Sequence, residues 1–534
     1  MNYNIPYLRP GALDKVPAPF DDTHQTLSLD PFTASSMNRR CLRSRSAKSQ
    51  NELTVPRLPP EILVLILEQL EGKRELGNAR FVSRQFEDLV VPIFYRQMRL
   101  TVGILVHVGV EYNPMGKASD LFSQKMITHT EHLTIGLVSD WRLVISLVMR
   151  LENLKYITLS FAPGRQLPTP TMEPTSTTAA LSTISRARPE LRFHIENFGR
   201  EGQQKYKLKD ACPQAFLSCK LSGVESKGFE ANVKPLLASS ELKTLHIAGD
   251  GYIMHFKDRN VKPGERMPPI QELVLQRYCW DHSPQVAVNF WNWTNLRHLE
   301  LREICMVSFL TSVPPERLLQ LRVLVLDPRC ILTPHESRAS DLISVLVSKL
   351  RALEVLDLRL APSKILSGIS KNGQTLKVLK FRDSFALGDQ KSNTLSVNDM
   401  GTVRTSCLHL AELQIPIAFN SKEGTSSGLY IMDFIIPRMK NLRRLHLYTW
   451  VSLRDKTIPE SDDDISELHT IVREWLVWFL ARKRGVAFER LVLEMELVGT
   501  RMDIYYRKVE AFIRLTWNYD AEKGPSFEGP KVLW

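Results

Sequence analysis

Few stretches hold residues of the types and spacing that do chemistry. "GVEYNPMGKA" (109–118) ends in Gly-Lys, the pair that closes a loop whose backbone N–H groups cradle phosphate. Six residues separate its glycines, and Ala118 stands where a Ser or Thr would meet magnesium, so it is not such a loop. "GTSSG" (424–428) has the form of a nucleophile elbow around Ser426. It lies in a polar run, "NSKEGTSSG", with no strand leading into it, which predicts an ordinary loop. "CWDH" sets Cys279 and His282 at a metal-ligand spacing, but no second pair follows, and His129 and His132 also lack partners. The expectation is a chain without catalytic residues, metal or cofactor, whose work is binding.

The cysteines point the same way. Seven of them, scattered and odd in number, with no CxxC pair, suit reduced and mostly buried thiols in a reducing compartment. The N-terminus lacks an apolar signal core and no uncharged apolar run approaches bilayer length, so a soluble cytoplasmic or nuclear protein is expected. The net charge of +12 is diffuse, with acids interleaved. That predicts a solvated surface, and the lack of aromatic residues among the basic runs disfavours nucleic acid. Residues 1–55, rich in Pro, Ser, Asp and Arg, are expected to be a disordered tail. Within it, "NRRCLRSRSAKSQ" has the composition of a nuclear-import signal.

Two kinds of element must do the positioning. The first is "RLPPEILVLILEQLEGKRELGNARFVSRQFEDLVVPIFYRQMRL" (57–100). Pro59 and Pro60 suit the start of a helix, with Glu61 at the positive end of its dipole. Ile62, Ile66 and Leu70, flanked by Leu63 and Leu67, form an apolar stripe that Gly72 ends. A second turn holds Leu76 and Ala79. A third face holds Val82, Phe86 and Leu89, and Pro92 is expected to interrupt that helix and start another. Three short helices enclose too little core to be secure alone, so this segment should lean on a neighbour or a partner.

The second is a six-residue phrase, apolar-x-x-apolar-x-apolar, that returns ten times: "LKYITL" (154), "LKTLHI" (242), "IQELVL" (270), "LRHLEL" (296), "LRVLVL" (321), "LEVLDL" (353), "LKVLKF" (376), "LAELQI" (410), "LRRLHL" (442) and "FERLVL" (488). Its last two apolar residues alternate as in a short strand. Amphipathic helices lie between, notably "SDDDISELHTIVREWLVWFLARKRG", with acids at its start, bases at its end and Gly485 to turn left-handed. Strand, crossover helix and parallel strand in repetition give a right-handed solenoid. The phrase is the core of a leucine-rich repeat. The intervals vary, from 23 residues (353 to 376) to 46 (442 to 488), and the usual following Asn is missing, so a degenerate array with insertions is expected.

Residues 57–100 resemble an F-box, through Leu58-Pro59-x-Glu61-Ile62-Leu63, Ile66-Leu67, Leu70, Leu76, Ala79-Arg80, Val82-Ser83, Phe86 and Leu89. "VPIFYRQMRL" resembles the continuation common in fungal F-box proteins, although Phe86 stands where many carry Trp. With the readings above, this predicts an α/β chain with four parts: the tail 1–55, a small helical F-box 56–100, an irregular right-handed leucine-rich-repeat solenoid 101–520, and a C-terminal tail 521–534. The resemblance also implies a non-catalytic substrate receptor of a cullin-based ubiquitin ligase. Leu58, Pro59, Ile62, Leu63, Val82 and Phe86 would meet a Skp-type adaptor that links to the cullin. On the solenoid, Glu300, Arg302, Asp357, Arg359, Lys380, Arg382, His446 and Tyr448 would face an unidentified protein substrate. Stacking of the strands would set Arg302, Arg359 and Arg382 in one column, suited to an acidic or phosphorylated segment. The same charges could equally pair across strands as solvated surface. The alternative to the receptor is a repeat scaffold for protein or nucleic acid with no part in ubiquitination.

Overall fold

Each of the ten phrases becomes a strand that begins at its third residue. The computed structural model describes residues 58–70, 73–100, 104, 124–136, 140–160, 174–198, 213–222, 233–249, 254–255, 261–327, 336–359, 365–381, 395–418, 430–452, 479–498, 509–520 and 524–533. The stretches 109–118 and 424–428, the tail 1–55, Arg382 and most of the helix expected before Gly485 lie outside these residues.

The strands from the phrases are β3 (Tyr156–Ser160), β6 (Thr244–Ala248), β8 (Glu272–Gln276), β10 (His298–Arg302), β11 (Val323–Asp327), β12 (Val355–Leu358), β13 (Val378–Phe381), β14 (Glu412–Ala418), β15 (Arg444–Ser452) and β16 (Arg490–Val498). The phrase did not reveal β1 (Gln97–Leu100), β2 (His132–Ile135), β4 (Arg192–Phe198) and β5 (Phe216–Ser222). At the end come β17 (Val509–Asp520) and β18 (Gly524–Leu533), the latter within the segment expected to be a tail. Among the described residues these sixteen form one sheet in chain order, and a separate pair is made by β7 (Met254–His255) and β9 (Tyr278–Cys279). Pairing is parallel from β1 to β16, then antiparallel to β17 and β18.

Register explains the phrase. Its fourth residue stacks on the fourth residue of the next strand, giving a buried column that runs Leu245, Leu273, Leu299, Leu324, Leu356, Leu379, Leu413, Leu445, Leu491. Upstream it continues through Leu100, Ile135, Leu159, Ile195 and Cys219. Burial pushes the Cys219 thiol well above its usual pKa, so it packs as a small apolar side chain. The phrase's first residue, Leu296, Leu321 or Leu353 for example, is also buried.

Helices cross between successive strands: α4 (Trp141–Arg150) after β2, α5 (Pro174–Ala187) after β3, α6 (Pro284–Asn289) after β9, α7 (Met306–Ser312) after β10, α8 (Glu336–Lys349) after β11, α9 (Leu366–Asn372) after β12 and α10 (Val397–Ser406) after β13. Their apolar sides join the same core as the leucine column. Local signals set their starts. Asp140 accepts from Arg142 N at 2.8 Å to cap α4, and Ser396 and Asp399 form a reciprocal capping box on α10.

The N-terminal helices are α1 (Pro60–Glu68), α2 (Lys73–Ala79) and α3 (Arg84–Arg96). Ser83 caps α3, its hydroxyl accepting from Phe86 N at 3.2 Å. Pro92 does not interrupt α3, contrary to expectation. The helix runs through it because Val90 and Val91 before it and Tyr95 after it are all buried, and packing outweighs one lost hydrogen bond. Val90 joins a small cluster with Leu67 and Leu76, whereas Val91 and Tyr95 belong to the main core.

The approach to β16 is held by backbone contacts. Arg484 N donates to Pro437 O and Val486 N to Lys440 O, each at 2.8 Å. Between them Gly485 has φ 82°, and a Cβ there would lie 2.7 Å from Lys440 Cα. Gly485→Ala should therefore lower stability by about 1–3 kcal/mol, seen as a lower thermal midpoint by circular dichroism. An unchanged midpoint would contradict the packing described.

Candidate functional site

Six consecutive residues of α1, Ile62 to Leu67, are apolar, so the helix is greasy all round and a small cluster can cover only part of it. Leu67 is buried, while Leu70, Phe86, Leu89 and Ile93 pack partly against it, Leu76 and Val90. Much of the rest stays open. Leu58 and Ile62 are 43% and 42% exposed, Leu65 and Ile66 56% and 48%, and Val82 and Phe81 68% and 84%. Pro59 is exposed and Leu63 half-buried. Of the residues expected to meet a partner, Phe86 is the one turned toward the helices' own cluster.

Sequence reasoning missed Leu65 and Phe81, and it placed Ile66 in the apolar stripe without assigning it to a partner. The unbroken apolar run of α1 was the available signal, because a helix with no polar face must leave something uncovered. Phe81 and Val82 sit in a turn closed by Phe81 N to Asn78 O at 3.0 Å and Val82 N to Ala79 O at 3.2 Å, which holds two large apolar side chains outward.

The second surface is the sheet face opposite the leucine column. One of its rows runs His246, Val274, Glu300, Val325, Asp357, Lys380, Gln414, His446. The neighbouring row runs Thr158, His194, Ser218, Thr244, Glu272, His298 and on to Glu412 and Arg444. Three of the cations expected to meet a substrate on this face are paired. Arg302 bonds Glu300, Arg359 bonds the buried Asp327 at 2.8 Å, and Lys380 bonds Glu412 at 2.5 Å. Gln414 donates to the Tyr448 hydroxyl, and the His446 and Tyr448 rings lie 4.1 Å apart between centroids. A phosphate approaching Arg302 or Arg359 would have to compete with a carboxylate already in place.

Upstream on the same face lie side chains that the sequence did not single out for it. His132, Tyr156 and His194 form a ring triangle with centroids 5.8–6.1 Å apart. His132 Nε2 is 2.6 Å from Thr158 Oγ1, and His194 Nδ1 is 2.7 Å from Ser218 Oγ. Glu272 stands between His246, at 3.0 Å, and His298, at 3.5 Å. The hydrogen bond from His246 holds the Glu272 carboxyl below its usual range. Elsewhere, His282 Nε2 is 2.8 Å from the Tyr278 hydroxyl, which accounts for the histidine of "CWDH". Among the described residues no group of three or more His, Cys, Asp or Glu could hold a metal ion, and no helix is long and apolar enough to cross a membrane.

Comparison with known families shows that residues 55–101 fit the family model described as F-box-like. The chain therefore carries an F-box-like segment, and domains of that family generally bind Skp-type adaptors. No curated protein matches the chain.

Burial lowers the pKa of both His132 and His194, and the charge of His132 lowers that of His194 further. A histidine with a depressed folded pKa favours folding while neutral, above its unfolded pKa of about 6.5. That contribution is lost as pH falls through the folded value. The thermal midpoint should fall as pH drops below about 6.5. In His132→Gln/His194→Asn, which keeps a polar atom near each bonded nitrogen, the fall should be smaller. Equal pH slopes for the two proteins would rule this out.

Proposed function

We propose that this chain is a non-catalytic substrate-recognition subunit of a cullin-based (SCF-type) ubiquitin ligase. The F-box-like segment docks a Skp-type adaptor, and through it a cullin. The strand array acts as an irregular right-handed leucine-rich-repeat solenoid that holds a protein substrate. The reading assigns adaptor contact to Leu58, Pro59, Ile62, Leu63, Val82 and Phe86, and adds Leu65, Ile66 and Phe81. It assigns substrate contact to the face bearing Glu300, Arg302, Asp357, Arg359, Lys380, His446 and Tyr448, with Arg382 alongside.

The observation that carries this reading is the uncovered apolar surface in the segment that matches the family. Large side chains such as Phe81 and Val82 cost free energy in water, roughly 25 cal/mol per Å² of apolar area. A standard interface covers about 800 Å² on each partner, so an adaptor's helices could remove most of that cost. The paired charges on the strand face favour a substrate of mixed charge over one that needs a free arginine cluster. The chain would act in the cytoplasm or nucleus, away from membranes and without nucleic acid as its ligand.

The test is capture of a purified Skp-type adaptor by the full chain. Ile62→Asp and Val82→Asp each place a charge on an exposed side chain that supports no core, so both variants should keep their thermal midpoint. Each should weaken adaptor binding by about 100-fold, because an unpaired buried charge costs several kcal/mol. An intact chain that ignores the adaptor at micromolar concentration would end the receptor reading.

A further inference from the structure

Beyond the adaptor and the strand face, a third surface runs along the N-terminal ends of the strands. The residue before each strand extends the parallel ladder by one step. Gln271 N donates to Lys243 O, Arg297 N to Gln271 O, Arg322 N to Arg297 O, and Glu354 N to Arg322 O, all at 2.7–2.8 Å. Lys377 N then donates to Glu354 O, Ala411 N to Lys377 O, and Arg443 N to Ala411 O, each at 2.8 Å. These residues therefore stand side by side at the strand spacing of about 4.8 Å. In order they are Lys243, Gln271, Arg297, Arg322, Glu354, Lys377, Ala411 and Arg443, and Glu489 N carries the ladder one step further to Arg443 O at 2.7 Å: cations predominate over the two acids, Glu354 and Glu489.

The geometry of that row makes a groove. A cavity of about 620 Å³ opens along it between Arg322 and Arg443, with Glu354, Lys377, His409 and Asn441 on its walls. Glu354 serves two cations at once, Lys377 at 2.7 Å and Arg322 at 3.4 Å, and Arg443 reaches Glu489 at 3.1 Å. Lys243 and Arg297 are exposed and, among the described residues, form no ion pair. Cations thus outnumber acids along the row, and Lys243 and Arg297 keep their charge for a ligand, whereas on the strand face each of Arg302, Arg359 and Lys380 bonds a carboxylate.

We propose that this edge is a docking groove for an extended acidic polypeptide segment of a partner protein. Charge complementarity selects an anion. The cavity is of the size that holds small ligands, about 300–1,000 Å³, which suits a few residues of extended chain. No Phe, Tyr or Trp lines it to stack nucleic-acid bases. The row continues past the cavity to Lys243, so a longer acidic stretch would meet a cation at most steps. This groove lies at the strand ends, needs no adaptor, and stands or falls separately from the receptor reading.

The experiment is fluorescence anisotropy with the full chain, without adaptor, and a labelled oligo-glutamate peptide at about 0.1 M salt. The peptide should bind, its oligo-glutamine counterpart should not, and added salt should weaken binding. Arg297→Glu/Arg322→Glu should reduce affinity about tenfold or more, and Lys243→Glu by a smaller factor. Lys220→Glu, an exposed change on the strand face, should have no effect. Absence of oligo-glutamate binding, equal affinity in the double variant, or tighter binding of a single-stranded oligonucleotide would each overturn the proposal. Thermal midpoints of the variants guard against a loss that merely reports unfolding.

Discussion

The interaction on which everything else rests is the stacking of one apolar residue per strand into an unbroken buried column, from Leu100 at β1 to Leu491 at β16. Each member hides a side chain worth roughly 1.5–3 kcal/mol when fully buried, and each also sets the register of its neighbour. A slip of one residue at any strand would turn that strand's core face outward. The register therefore propagates, and with it the placement of every polar side chain on the opposite face. Glu300 and Asp357 share a row, and Arg359 reaches Asp327, because Leu299, Leu324 and Leu356 are in line behind them.

The N-terminal helices obey the opposite condition. Their own cluster of Leu67, Leu76 and Val90 is small, and the chain spends more apolar residues on them than that cluster can cover. The large strand array is finished internally, while the helices are not. A covered core and an uncovered apolar surface are thus divided between different parts of the sequence.

Most of the sheet was legible because the repeated phrase is a direct image of the buried column. Where it failed, one residue was usually responsible. β2 was missed because Thr130 occupies the first apolar position. The threonine is buried all the same, its hydroxyl donating to Tyr95 O at 3.2 Å. In β5, Cys219 takes the place of leucine. In β4, Glu190 stands where the phrase begins apolar, and the pairing with β5 shifts register between Phe193 and His194. The antiparallel β17 and β18 follow no phrase at all. The charged residues of the strand face could be read as a set, but whether they were free or paired depends on side-chain reach across strands. The basic row at the strand ends was invisible, since its successive members from Lys243 to Arg443 are 23 to 34 positions apart and meet only through the ladder.

Helix α3 has a consequence of its own. With Val90 on one cluster and Val91 and Tyr95 on the other, adjacent residues of one rod are clamped in two cores. Swivelling the rod would break both clamps, so the turn bearing Phe81 and Val82, just ahead of it, is presented to partners at a set bearing from β1. A macromolecule seated there would be aimed rather than tethered, its reach measured from the sheet like the arm of a jig.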